Sequence, residues 1–157
     1  MGGFLIRRAV AYDAEQIHEI ETQCFSDPWS TKSILEDICE NQQAYYLVAA
    51  EGGNGLEDSQ KILGYVGVWK IVDEGHITNV ATAMEVRRQH IGSQLIESLI
   101  SDLASQGIEK ITLEVRESNE PAIGLYEKYG FEKIGLRKGY YHNGENAIIM
   151  WRGYEEI

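Results

Sequence analysis

The stretch from His76 to Glu117 constrains the fold most, because it reads without a break as strand, tight polar turn, amphipathic helix and strand. HITNVATA has the pattern of a strand, and VRRQHIGS turns the chain. Leu95, Ile96, Leu99, Ile100 and Leu103 then recur at helical spacing, Gly107 stands where that helix should stop, and KITLEVRE is again a strand. Such a run lays a helix against a sheet. The flanking segments extend the pattern. FLIRRAV reads as a first strand, Asp13 as the cap of a helix carrying Ile17, Ile20 and Cys24 on one face, and SDPWS as a break. Ser30 opens a second helix with Ile34, Leu35, Ile38 and Cys39 on one side, and AYYLVAA follows as a strand. The polar run EGGNGLEDSQ is expected as a hairpin loop before the strand ILGYVGVWKIV. NEPAIGLYEKYG is a short helix with Asn119 as cap, Pro121 in its first turn and Gly130 as its stop. FEKIGLRKGYY and ENAIIMWRGY are closing strands joined through HNG. The order β α α β β β α β α β β predicts an α/β fold, a mixed central sheet of about seven strands with helices on both faces.

A chain of 157 residues suits one domain, here residues 1–157, and can bury a core without disulfides or metals. With 14 basic against 25 acidic residues its formal charge is −11, which argues against direct nucleic-acid binding and favours a basic partner. Cys24 and Cys39 lack CxxC spacing and are expected to be reduced residues in or near the core. No apolar h-region follows Arg7 and Arg8, and the longest apolar run is far too short for a bilayer, so a cytoplasmic location without membrane contact is expected. The histidines show no metal-ligand spacing, and no metal is expected.

Two features point to chemistry. A turn such as RRQHIGS, entering a helix, offers main-chain N–H groups and the positive end of the helix dipole to an anion. It is neither GxxxxGK[ST] nor GxGxxG, and a plain helix start with a solvated arginine pair stays open. In the strand KITLEVRE, Ile111, Leu113 and Val115 share one face, which leaves Glu114 on the other with Thr112 and Arg116. Tyr126 follows two turns into the next helix. A carboxylate and a phenol held on rigid elements can take a proton from a nucleophile and return one to a leaving group; a solvated Glu114 and a packing Tyr126 are the plainer alternatives.

TNVATAMEVRRQHIGSQLI, followed after a strand by LEVRESNEPAIGLYEKYGF, resembles the acetyl-coenzyme A motifs of the GNAT superfamily of N-acetyltransferases. CFSDPWS, RKGYY and NAIIMW narrow the resemblance to the RimI-type ribosomal-protein alanine N-acetyltransferases, over nearly the whole chain. The resemblance implies acetyl-CoA as cosubstrate, with Arg87, Arg88, Gln89, His90, Ile91, Gly92 and Ser93 at its binding loop and main-chain donors from Arg88 to Ser93 on the pyrophosphate. It implies that Val80, Ala81 and Thr82 run beside the pantetheine arm, the Val80 N–H polarising the thioester carbonyl, and that Asn119 makes a further cofactor contact. Glu114 becomes the general base, through water, and Tyr126 the acid for the departing thiolate. Phe25, Trp29 and Tyr141 line the acceptor groove, with Tyr140 beside it; a hydrophobic plug is the alternative for Phe25 and Trp29. The implied acceptor is the amino-terminal alanine of a small-subunit ribosomal protein.

The chemistry agrees with that acceptor. An α-amine has a pKa near 8 against roughly 10.4 for lysine, so the lysine starts about 2.5 units, or roughly 3.4 kcal/mol, further from its neutral form. The sequence departs from the family twice: His90 replaces the usual first loop glycine, and Asn146 stands where Asp is common. Transfer to lysine or a small amine on the same fold, and a non-catalytic acyl-CoA-binding module, are the competing expectations.

Overall fold

The computed structural model describes residues 3–52, 60–86 and 90–153. Seven strands alternate with four helices in the expected order: β1 Phe4–Arg8, α1 Ala14–Cys24, α2 Thr31–Cys39, β2 Ala44–Glu51, β3 Ile62–Ile71, β4 Glu74–Thr82, α3 Ile91–Ser105, β5 Lys110–Arg116, α4 Glu120–Lys128, β6 Glu132–Arg137 and β7 Ala147–Arg152. They form one seven-stranded mixed sheet in the order β1-β2-β3-β4-β5-β7-β6. The β1–β2, β2–β3, β5–β7 and β6–β7 pairs are antiparallel, and β4–β5 is parallel. Contacts divide the chain into two compact units, the described parts of Met1–Trp69 with Thr78–Leu99, and of Lys70–Ile77 with Ile100–Ile157.

In the first unit β2 is buried on both faces from Ala44 to Ala50. Tyr46, Val48 and Ala50 share a core with Ile17 and Ile20 of α1 and Ile34 of α2. On β3, Gly64 permits a close approach: a Cβ there would stand 3.0 Å from the Ala81 carbonyl oxygen and 3.1 Å from Cγ2 of Ile91, at the start of α3. The β2–β3 connection, expected as a hairpin loop, includes residues 53–59, outside the described residues, and the strands it joins are antiparallel neighbours.

Three local expectations need correction. Asp13 does not cap α1 with its side chain. Its carboxylate accepts from the Val10 N–H at 2.8 Å and takes a two-pronged contact from the Arg7 guanidinium at 2.8 and 3.0 Å, because a short 3-10 turn over Ala11–Asp13 precedes the helix. In α2, Leu35 and Cys39 are exposed and the buried positions are Ile34 and Asp37. A polar contact decided that face: Asp37 accepts from the Tyr46 hydroxyl at 3.0 Å, Trp69 Nε1 at 2.9 Å and Asn41 Nδ2 at 3.1 Å. Cys24 is partly buried, its Sγ 3.4 Å from the Thr82 carbonyl oxygen, while Cys39 is not a core residue.

In the second unit the alternation along β5 is as read, with Ile111, Leu113 and Val115 buried and Thr112, Glu114 and Arg116 on the more open face. Gly107, at φ +82°, ends α3, with the Ile108 N–H reaching the Leu103 carbonyl at 2.8 Å. In α4, Asn119 Oδ1 caps the Ala122 N–H at 3.3 Å, and Ile123 and Tyr126 form the buried face. The closing strands are shorter than the sequence pattern suggests. Strand β6 stops at Arg137 and β7 begins at Ala147, so Tyr140 and Tyr141 lie in the connecting loop, where Gly139 and Gly144 take positive φ angles.

Candidate active site

The binding-loop residues Arg87, Arg88 and Gln89 fall outside the described residues. The turn that follows them is informative. His90 has φ 62°, in the left-handed region that glycine occupies most easily. The departure at position 90 therefore keeps the glycine-like backbone and places an exposed imidazole on it. The Gln94 N–H closes onto the His90 carbonyl at 3.1 Å, which places the N–H groups of Ile91, Gly92 and Ser93 in the first turn, where a helix has no internal acceptors for them. Val80, Ala81 and Thr82 end β4, and the Ala83 N–H is bonded to the Leu63 carbonyl at 2.8 Å. In the same unit Phe25 and Trp29 pack partly into the core, and the Trp29 ring stands edge-on to Trp69 at 5.9 Å.

The second unit contains the two acid–base candidates. Glu114, 14% exposed at its side chain, presents Oε1 to His76 Nε2 at 3.1 Å and Oε2 to Arg137 Nε at 4.0 Å. The hydrogen bond from His76 is the main reason its carboxyl titrates below the ordinary range; burial opposes the effect, and the charges of His76 and Arg137 reinforce it. Glu114 is thus held ionised. His76 is a functional candidate that the sequence pattern did not single out. The signal was available in the parallel pairing of His76 with Thr112, two residues before Glu114, but only once β4 and β5 are known to be neighbours.

Tyr126 is buried against Phe131, ring centroids 5.7 Å apart, and burial raises its hydroxyl well above the usual phenol range, so it keeps its proton. Tyr141 is half-buried, with the Arg116 guanidinium 4.0 Å from its ring centroid and Tyr140 edge-on at 5.1 Å. Burial pushes the Tyr141 hydroxyl up to about 12. The loop bearing both tyrosines is fixed by the end of β5, by the turn that follows it and by a contact within the loop. Glu145 accepts from the Ser118 N–H at 2.8 Å and from Arg116 at 3.2 Å, and Asn146 Oδ1 accepts from the Gly139 N–H at 3.0 Å. The Asn146 amide also donates to Glu117 at 3.5 Å, a contact that an aspartate would turn into repulsion. Asn119 acts as a helix cap.

Among the described residues no cluster of three metal-ligating side chains occurs, and no helix is long and apolar enough to cross a membrane.

The sequence pattern of the acetyltransferase (GNAT) family matches residues 14–131, and the chain belongs to that family. A Bacillus subtilis (strain 168) protein, by name a candidate ribosomal protein bS18-alanine N-acetyltransferase, is 38% identical over 93% of each chain. The Escherichia coli (strain K12) ribosomal protein bS18-alanine N-acetyltransferase is 34% identical over 88% of this chain and 89% of that one. The crystal structure of the Escherichia coli ribosomal-protein-S18-alanine N-acetyltransferase superimposes with a TM-score of 0.82, covering 95% of this chain and 92% of that one at 30% identity.

Proposed function

We propose that residues 1–157 act as one acetyltransferase domain that moves acetyl from acetyl-CoA to the α-amine of an amino-terminal alanine, on a small-subunit ribosomal protein, in the cytoplasm. The observation that carries the reading is the ionised Glu114 held by His76, in a chain of the acetyltransferase family whose named relatives modify ribosomal protein bS18. The excess of acidic residues suits a basic ribosomal acceptor.

Acetyl-CoA supplies an activated thioester, and the residues present suit it. The first turn of α3, entered through the left-handed His90, offers main-chain donors for the pyrophosphate, with Arg87, Arg88 and Gln89 preceding it. Val80, Ala81 and Thr82 serve the pantetheine arm, the Val80 N–H polarises the thioester carbonyl, and Asn119 adds a contact from the start of α4. Phe25, Trp29 and Tyr141 hold the acceptor peptide.

Glu114 receives the proton of the attacking amine through water. His76 keeps the carboxylate ionised and oriented, so it accepts a proton only in passing, which is adequate for an α-amine already about a tenth neutral near pH 7. Tyr126, protonated throughout the working range, donates to the departing sulfur. No covalent enzyme adduct is required.

The test follows acetyl-CoA consumption with a basic peptide beginning with Ala, and with the same peptide blocked at its amino terminus but carrying free lysines. Acetylation of the free terminus alone is expected. Modification of the blocked peptide would overturn the α-amine reading, and turnover of neither would overturn the activity.

A further inference from the structure

Of the buried carboxylates that the mechanism leaves unused, Asp13, Glu21 and Asp37, Glu21 is the one that holds the main chain of the loop between α1 and α2. Glu21, in the last turn of α1, is 1% exposed and stands among neutral donors. Its Oε1 accepts the Trp29 N–H at 2.8 Å; its Oε2 accepts Asn79 Nδ2 at 2.8 Å and the Tyr65 hydroxyl. One turn earlier on the same helix, His18 Nδ1 donates to the Trp29 carbonyl at 2.7 Å. Both main-chain polar groups of Trp29 are therefore held by side chains of α1, while its indole stands edge-on to Trp69.

This is more than a loop needs in order to close. A connection between two helices can satisfy its main chain with water at the surface, and a carboxylate with three neutral donors is expensive to bury. The arrangement fixes the two peptide units that flank the Trp29 Cα and, through Glu21 and Asn79, joins them to β4 at the residue before Val80. We infer that Glu21 is a positioning residue for acceptor binding: it locks the α1–α2 loop in the conformation that presents Phe25 and Trp29 to the peptide. The inference rests on the proposal that this loop contacts the acceptor.

Glu21→Gln preserves the volume but replaces one acceptor atom with an amide donor that faces a donor. The expected result is a peptide KM raised about tenfold, with kcat and the acetyl-CoA KM within about twofold of the parent, for an enzyme whose thermal unfolding stays cooperative. A merely structural role would lower Tm without that split. His18→Ala releases the carbonyl on the other side of Trp29 and is expected to raise peptide KM in the same selective way, which keeps the inference testable should Glu21→Gln fail to fold. Phe25→Ala separates the two ideas. A raised peptide KM in Phe25→Ala with an unchanged one in Glu21→Gln and His18→Ala would overturn the positioning role alone, whereas an unchanged KM in Phe25→Ala would overturn the loop's contact with the acceptor and the inference with it.

Discussion

Glu21 and Glu114 carry the same side chain in two opposite settings. Glu21 meets only neutral donors in its first contacts, and burial raises its carboxyl above the ordinary range. Glu114 meets His76 and Arg137, and the hydrogen bond from His76 brings it below that range. The difference teaches that burial alone does not single out a carboxylate suited to proton transfer. One surrounded by neutral donors organises its neighbours and is costly to remove for stability or geometry, whereas one paired with a cationic partner on an open strand face stays charged and accessible to a passing proton.

The sharpest way to break the contrast is Glu114→Gln. Loss of a positioned general base is worth on the order of 10²–10⁴ in rate, so kcat/KM for an Ala-starting peptide is expected to fall by at least about a hundredfold, with Tm modestly lowered near neutral pH because the ionised group paired with His76 contributes stability there. Tyr126→Phe follows, with kcat lower by on the order of a hundredfold and both KM values preserved, since the ring still fills its place against Phe131. Asp37→Ala probes the other side of the comparison. The Tyr46 hydroxyl, the Trp69 indole and the Asn41 amide lose their acceptor, and unfolding in denaturant should show a loss of about 2 kcal/mol with kcat retained.

His76→Ala is the mildest and most diagnostic. Because the folded-state pKa of Glu114 lies below its unfolded value, the ionised group contributes stability above the unfolded pKa, and that contribution is lost as pH falls through the folded one. Removing His76 leaves burial as the leading influence, so the pKa moves up. The expected result is an activity loss of about tenfold with an acid limb of kcat/KM displaced to higher pH than in the parent.

Much of this was legible in the sequence. Element order, the alternation that puts Glu114 on the open face of β5, and the caps at Asn119 and Gly107 all depend on local spacing. What was not legible depends on partners distant in the chain. His76 joins Glu114 across 38 residues and Glu21 joins Asn79 across 58, and no local pattern encodes either pairing. Asp37 displaced Leu35 from the buried side of α2 for the same reason, because its donors Tyr46 and Trp69 come from strands. The loop with Tyr140 and Tyr141 looked like strand because its aromatic residues favour one, while Gly139 and Gly144 turn the chain there.

The measurement that tests the central claim most directly is the pH profile of kcat/KM for an Ala-starting peptide, in the parent and in Glu114→Gln. The account predicts that the parent rises towards a plateau near the α-amine pKa of about 8, with any limb from Glu114 below the ordinary carboxylate range. The variant should lie at least about a hundredfold lower at every pH, with the same shape. A variant within about threefold of the parent across the range would contradict the role of Glu114 as the base.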